Sequence, residues 1–208
     1  MDDRGLHGSM VDPHSPGRAD ATERPFALRS TIYTAAFLLF ILGVVPSIYH
    51  FAGELLLRMV TGSEPSVVQR VPASPIAADI RAFWSGFRTL VGAGIFAIGL
   101  ATYLACSAWL IFHGRGPHVE FDPPRHFVAT GPYRWVRNPV VITLLIAVLG
   151  EAVYLASPGI ALLLLMGMPI AHLQVTRLEE PLLRERFGQS YLDYCASVSR
   201  WLPHPPAD

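Results

Sequence analysis

The sequence predicts an all-α fold: a polytopic membrane helical bundle of about four transmembrane helices with a cytoplasmic C-terminal helical segment. Three observations predict it. Of 208 residues, 51% are hydrophobic and only 15% are charged, against roughly 25% charged in a soluble domain; the mean hydropathy is +0.38. The apolar residues are gathered in blocks close to the about 20 residues a helix needs to cross the hydrocarbon core. The sixteen basic residues are all arginine and lie unevenly around those blocks. Sixteen acids balance them, so the basic excess of a nucleic-acid binder is missing, and the apolar content excludes a disordered chain. Cys106 and Cys195 stand far apart without a CxxC partner; they fit neither a disulfide framework nor a zinc site, and no metal is expected.

The first 28 residues read as a disordered cytoplasmic tail, because Gly5, Gly8, Pro13, Pro16 and Gly17 interrupt any period. The N-terminal membrane helices with their intervening loop occupy 29–112. Thr31–Tyr49 and Thr89–Phe112 carry no charge. Between them, Phe51–Val60 extends the first helix, and Ile76–Phe87 is expected to lie in the interface with Trp84 as an aromatic anchor. The remaining unit, 113–208, opens with a Gly- and Pro-rich connector, Gly114–Pro124. Pro139–Ala156 holds one acid, Glu151, and Gly159–Val175 holds His172 near its end. The Ser157-Pro158-Gly159 turn between them makes antiparallel neighbours. From Arg177 to Trp201, Leu178, Leu182, Phe187, Tyr191 and Tyr194 recur near helical spacing, and Gly188 is placed to bend that helix.

Arginine placement orients the bundle. The tail before Thr31, the segment between the second and third blocks, and the tail after Val175 each hold four arginines. Four crossings put all three on one side, which the positive-inside rule makes cytoplasmic, with both termini.

Chemistry is expected where polar residues cluster at that side. His126–Pro139 contains the Gly131-Pro132 turn, then Tyr133, Arg134, Arg137 and Asn138 ahead of Pro139, a favourable first helical residue. Arginines beside a helix N-terminus suit a carboxylate or phosphate; they also serve as an ordinary positive flank that meets lipid headgroups. Glu179-Glu180 follows the fourth block. Adjacent glutamates point to different helix faces, so one turns to a ligand cation while the other stays in water. The antiparallel hairpin brings this pair to the same end as the arginines.

The strings GPYRWVRNP and EEPLLRERFGQSYLDYCASVSRWLP, separated by an apolar hairpin, resemble the isoprenylcysteine carboxyl methyltransferase family, which belongs with the phospholipid methyltransferases. The resemblance covers His126–Pro203. It implies methyl transfer from S-adenosylmethionine, held in a cytoplasm-facing pocket closed by the C-terminal segment, to a lipid-like or small hydrophobic acceptor arriving from the membrane lipids. The cofactor contacts it implies fall on Arg125, His126, Phe127 and Val128, on Tyr133, on Asn138, Pro139, Val140 and Val141, and on Glu179. Arg137 is placed to hold the cofactor carboxylate, and Glu179 its ammonium or ribose. The sequence departs from the family at Asn138, where histidine is common, and at Val141, where tyrosine is usual. A substrate-facing arginine is replaced by Val175, with Arg177 the nearest arginine; Arg177 and Glu180 are the catalytic candidates. A carboxylate or thiolate acceptor needs no base, whereas an amine or neutral thiol needs one, for which Glu180 and His172 are available. An inactive membrane scaffold that kept the fold is the alternative. A transporter is disfavoured, since no inverted repeat or broken-helix pair is present.

Overall fold

The computed structural model describes residues 30–62, 74–114 and 126–205. The expected N-terminal tail, the connector after Gly114 and Arg125 lie outside the described residues. The described residues contain no strand. They form α1 (Ser30–Thr61), α2 (Pro75–Gly114), a 3-10 turn (Gly131–Arg134), α3 (Pro139–Leu155), α4 (Pro158–Gln174) and α5 (Glu180–Ser197), with π-helical turns at Leu39–Val44 and Val175–Glu179.

By length and composition α1, α2 and the run from α4 into α5 can each cross a membrane; α3, also apolar, has 17 residues, the short limit for a crossing. Large apolar side chains such as Leu90, Leu104, Leu162 and Leu165 face outward along these helices, a surface suited to lipid rather than water.

α2 runs unbroken for 40 residues, about 60 Å at 1.5 Å per residue. Ile76–Phe87, the stretch expected to lie in the interface, is the first part of this helix. Asp79 and Arg81 are exposed charges, which do not interrupt helical hydrogen bonding, and no proline follows Pro75 before Gly114. Ser74 Oγ accepts from the Ala77 N–H at 3.3 Å and starts the helix. Trp84 and Trp109 on α2 are separated by a rise of roughly 38 Å. That matches a hydrocarbon core of about 30 Å with an interface at each end.

Both π turns sit just upstream of a proline, Pro46 and Pro181. Proline lacks the N–H that would bond the carbonyl four residues back, and its ring clashes with that carbonyl. The carbonyls concerned belong to Leu42 and Arg177, each inside its π turn. The widened turn removes the clash and keeps the helix continuous. It also inserts a residue, rotating everything downstream by about 100° relative to a regular helix.

Helix packing depends on missing side chains. A Cβ on Gly92, Gly99 or Gly150 would overlap backbone of the facing helix, so α2 and α3 meet backbone to backbone. Gly53 and Gly159 do the same for α1 and α4. Ala156 in left-handed conformation (φ 49°) ends α3, and Ser157 starts α4 by accepting from the Ile160 N–H at 3.3 Å. His50 Nδ1 lies 2.9 Å from the Ser157 hydroxyl, joining α1 to this turn. Arg88 Nη1 donates to the Val153 and Tyr154 carbonyls at 2.9 Å each and caps the C-terminus of α3. Glu151 has a buried Oε2 with no hydrogen-bond partner. At the opposite end Tyr103, Cys106, Val128, Tyr133 and Val140 form a core under the 3-10 turn.

Candidate active site

The GPYR turn is fixed by Gly131, whose φ of 59° suits glycine and whose missing Cβ leaves room for the Trp109 indole. The Trp109 Nε1–H donates to Thr130 Oγ1 at 3.3 Å. The turn buries Tyr133 beneath α5, where the Tyr194 hydroxyl donates to the Tyr133 carbonyl at 2.7 Å. α3 then starts at Pro139 with Asn138 as its cap.

The chain beyond α5 folds back as a strap across this turn. The Arg137 N–H donates to the Ser199 carbonyl at 2.9 Å, Asn138 Nδ2 to the Arg200 carbonyl at 3.3 Å, and the His204 N–H to the Trp135 carbonyl at 3.1 Å. These bonds hold Arg200 against Glu180, the first residue of α5.

Between turn, α3, π turn and α5 lies a cavity of about 180 Å³. His126, Phe127, Val128 and Tyr133 line one side; Arg137, Asn138, Pro139, Val140 and Val141 form the α3 end; Glu179 and Glu180 close it from the π turn. Val175, Phe187, Tyr191 and Tyr194 complete the wall. The hairpin thus brings residues from both sequence clusters to one space. Phe127 packs among Phe187, Tyr191 and Tyr194 with ring centroids 5.2–5.9 Å apart. The kink at Gly188 (φ 54°, ψ −128°) lets Phe187 and the two tyrosines face the same ring.

The two catalytic candidates take different places. Glu180 does not face water: it is 3% exposed. Its carboxylate accepts from Arg200 Nε at 2.6 Å and Nη2 at 2.9 Å, from Arg137 Nη1 at 3.1 Å and from Arg184 Nη2 at 3.5 Å. The cause is the π turn before Pro181, which shifts the helix phase so that the second glutamate points deepest. Glu179 is half-buried and also lines the cavity. Arg177, the other catalytic candidate, is exposed and does not line the cavity; the same turn carries it to the outer face. His172, the other proton-acceptor candidate, accepts from Trp201 Nε1 at 3.0 Å and lies outside the cavity wall.

Burial raises the pKa of Glu180, but the hydrogen bond from Arg200 and the charges of Arg137, Arg200 and Arg184 outweigh it and hold the carboxyl below its ordinary value. Glu180 is therefore ionised and saturated with donors, which unsuits it as a general base. Burial pushes the Tyr133 hydroxyl well above the ordinary tyrosine value, so it remains a proton donor. That hydroxyl is buried without a partner, as is Nε of Arg137. Orphaned donors on a cavity wall are rare in a finished core and suit a polar ligand.

Arg200, Cys195 and Tyr194 escaped sequence reasoning. Cys195 Sγ lies 2.9 Å from Arg137 Nη1. The one available signal was Glu180-Pro181, since a proline in a continuing helix announces a distorted turn ahead of it. No group of three or more potential metal ligands occurs among the described residues.

No curated protein and no solved structure matches the chain. The pattern of one family, described as phospholipid methyltransferase, matches residues 87–190. The matched stretch runs from within α2 past the Gly188 kink, and so takes in the GPYR turn, the α3–α4 hairpin and both glutamates. Covering half of the sequence, it places these cavity-forming segments in one inherited unit: the chain belongs to the phospholipid methyltransferase family and is a membrane methyltransferase.

Proposed function

We propose that the protein transfers a methyl group from S-adenosylmethionine to a lipid-like or small hydrophobic acceptor at the cytoplasmic face of the membrane. The observation that carries this reading is the pair of orphaned buried donors, Tyr133 Oη and Arg137 Nε, on one cavity with Glu179. The donor set fits the cofactor: a guanidinium N–H for its carboxylate, a carboxylate for its ammonium or ribose, and a phenol held protonated. The cofactor supplies an electrophilic methyl on a sulfonium, which leaves positioning and desolvation to the protein. Tyr133 and Arg137 donate from the turn and the α3 end, with Asn138, Pro139, Val140 and Val141 shaping that end, while Phe127, Phe187 and Tyr191 exclude water. Glu180 is committed to its arginines and is not available to take a proton from a neutral acceptor. Acceptors that arrive as anions need no such help.

Titrating the detergent-solubilised protein with S-adenosylmethionine should show saturable binding, and label from its methyl group should appear in a native membrane lipid and quinone extract. Tyr133→Phe should weaken cofactor binding by about 1 kcal/mol, the usual worth of one hydrogen bond, while leaving the thermal midpoint near that of the parent. No detectable binding would favour the inactive scaffold. Binding unchanged in Tyr133→Phe would remove the hydroxyl from the site.

The proposed orientation has its own test. With arginine-rich segments in the cytoplasm, single cysteines at Ser63 and Ser190 should label from opposite sides of sealed vesicles. Protection of both from an external reagent, or reaction of both, overturns the four-crossing arrangement.

A further inference from the structure

A second space lies between α3 and α4. It is a groove of about 600 Å³ that shares no wall residue with the candidate active site. Its floor and sides are Ile142, Leu145, Ile146, Leu149, Leu164 and Met168. All six are apolar and lie on the membrane-crossing parts of the two helices, so the groove opens toward hydrocarbon. Water would gain nothing in it, because a water molecule needs polar partners.

One end differs. His172 and Trp201 stand there, and Trp201 Nε1 donates to His172 Nδ1 at 3.0 Å. An indole N–H only donates, so Nδ1 is acting as acceptor and carries no proton; the imidazole proton is on Nε2. His172 is exposed. It therefore offers an N–H at the mouth of an otherwise apolar groove, at the arginine-rich end of the bundle. Trp201 follows Arg200, whose guanidinium is held by Glu180 on the other side of the strap.

We propose that this groove binds one acyl chain of a bilayer glycerolipid that is not the methyl acceptor, with an ester or phosphate oxygen of that lipid accepting from His172 Nε2–H. The apolar length fits a hydrocarbon chain, and the single donor sits where a lipid changes from chain to headgroup. The two spaces share no wall residue, so this lipid site is distinct from the methyl-transfer cavity. The site does not depend on which methyl donor or acceptor the protein uses.

The test uses the full chain in phosphatidylcholine nanodiscs containing a phosphatidylcholine with a photoreactive diazirine in one acyl chain. This headgroup is already fully methylated and cannot be an acceptor, and any binding as product in the methyl-transfer cavity would label that cavity's own wall, 126–141 and 175–194, instead. Cross-linked peptides should concentrate on 142–149 and 164–172, several-fold above the lipid-facing side of α2. Leu145→Trp fills the groove and should cut that labelling several-fold with α2 labelling unchanged. Met168→Trp fills it from the exposed side and serves if the first variant fails to fold. Equal labelling of groove and α2 would mean annular lipid only, and overturn the site. Labelling insensitive to both fillings overturns it as well. Absence of lipid label at these peptides in a protein that runs as a dimer would overturn the lipid site and assign the groove to a second copy.

Discussion

Glu180→Gln should lower the free energy of unfolding by roughly 3–5 kcal/mol, the range for removing one partner of a buried ion pair. Arg137 and Arg200 carry most of the effect, since their side chains are 13% and 28% exposed. Arg184 is 54% exposed and 3.5 Å away; solvent screens it, and its loss from the cluster should be worth little. Glutamine can still accept from one guanidinium, but the strap then loses its charge anchor between Arg200 and the start of α5. Equilibrium unfolding in mixed micelles measures the loss. The pH dependence follows from the lowered pKa of Glu180. A carboxyl with a depressed folded pKa stabilises fully above its unfolded value, about 4.3 for glutamate, and that stability is lost as pH falls through the folded value. The gap between parent and E180Q should thus be full at neutral pH and close as the medium becomes more acidic than the ordinary carboxylate range. A gap that persists at low pH, or an E180Q protein as stable as its parent, would show that the cluster is not what holds the strap.

The parts of this molecule legible in its sequence are those set by local chemistry. An uncharged block such as Thr89–Phe112 has few alternatives to a membrane helix, because lipid leaves backbone groups no partner outside the helix. Gly188 and the Ser157-Pro158-Gly159 turn could be placed for the same local reason: each needs only its own backbone preference. What the sequence obscured depends on phase or on distant partners. Pattern alone does not show that Ile76–Phe87 is continuous with the next apolar block, since Asp79 and Arg81 lie on a helix that continues to Gly114. The expectation that one glutamate of the pair stays in water rested on an unbroken 3.6-residue period, which the turn before Pro181 breaks. Arg200 and Cys195 meet Glu180 and Arg137 only after the chain folds back, and no pattern in the surrounding residues encodes that return. Their recognition needed three-dimensional structure. The cofactor roles of the cavity residues rest on the proposal above and on its tests.

Arg137 joins the two halves of that proposal, and its removal should have the second large effect. Its Nη1 is engaged by Glu180 at 3.1 Å and by Cys195 at 2.9 Å, and its backbone N–H is held by the strap. Its buried Nε has no partner on a residue that lines the cavity. If that N–H meets the cofactor carboxylate, Arg137→Ala should weaken S-adenosylmethionine binding by roughly 1.5–3 kcal/mol, the worth of a hydrogen bond to a charged group. At 1.4 kcal/mol per tenfold, this is about one to two orders of magnitude in Kd. Arg137→Lys separates ligand binding from support. Lysine keeps a positive charge near Glu180 but not the planar fork with its separate Nε donor. Stability should then recover more than affinity. The double variant with E180Q should be non-additive in stability, because both changes break one contact. If Arg137→Ala remains folded and binds S-adenosylmethionine as the parent does, Arg137 serves only to hold Glu180, and the cofactor carboxylate must be met by another residue of the wall.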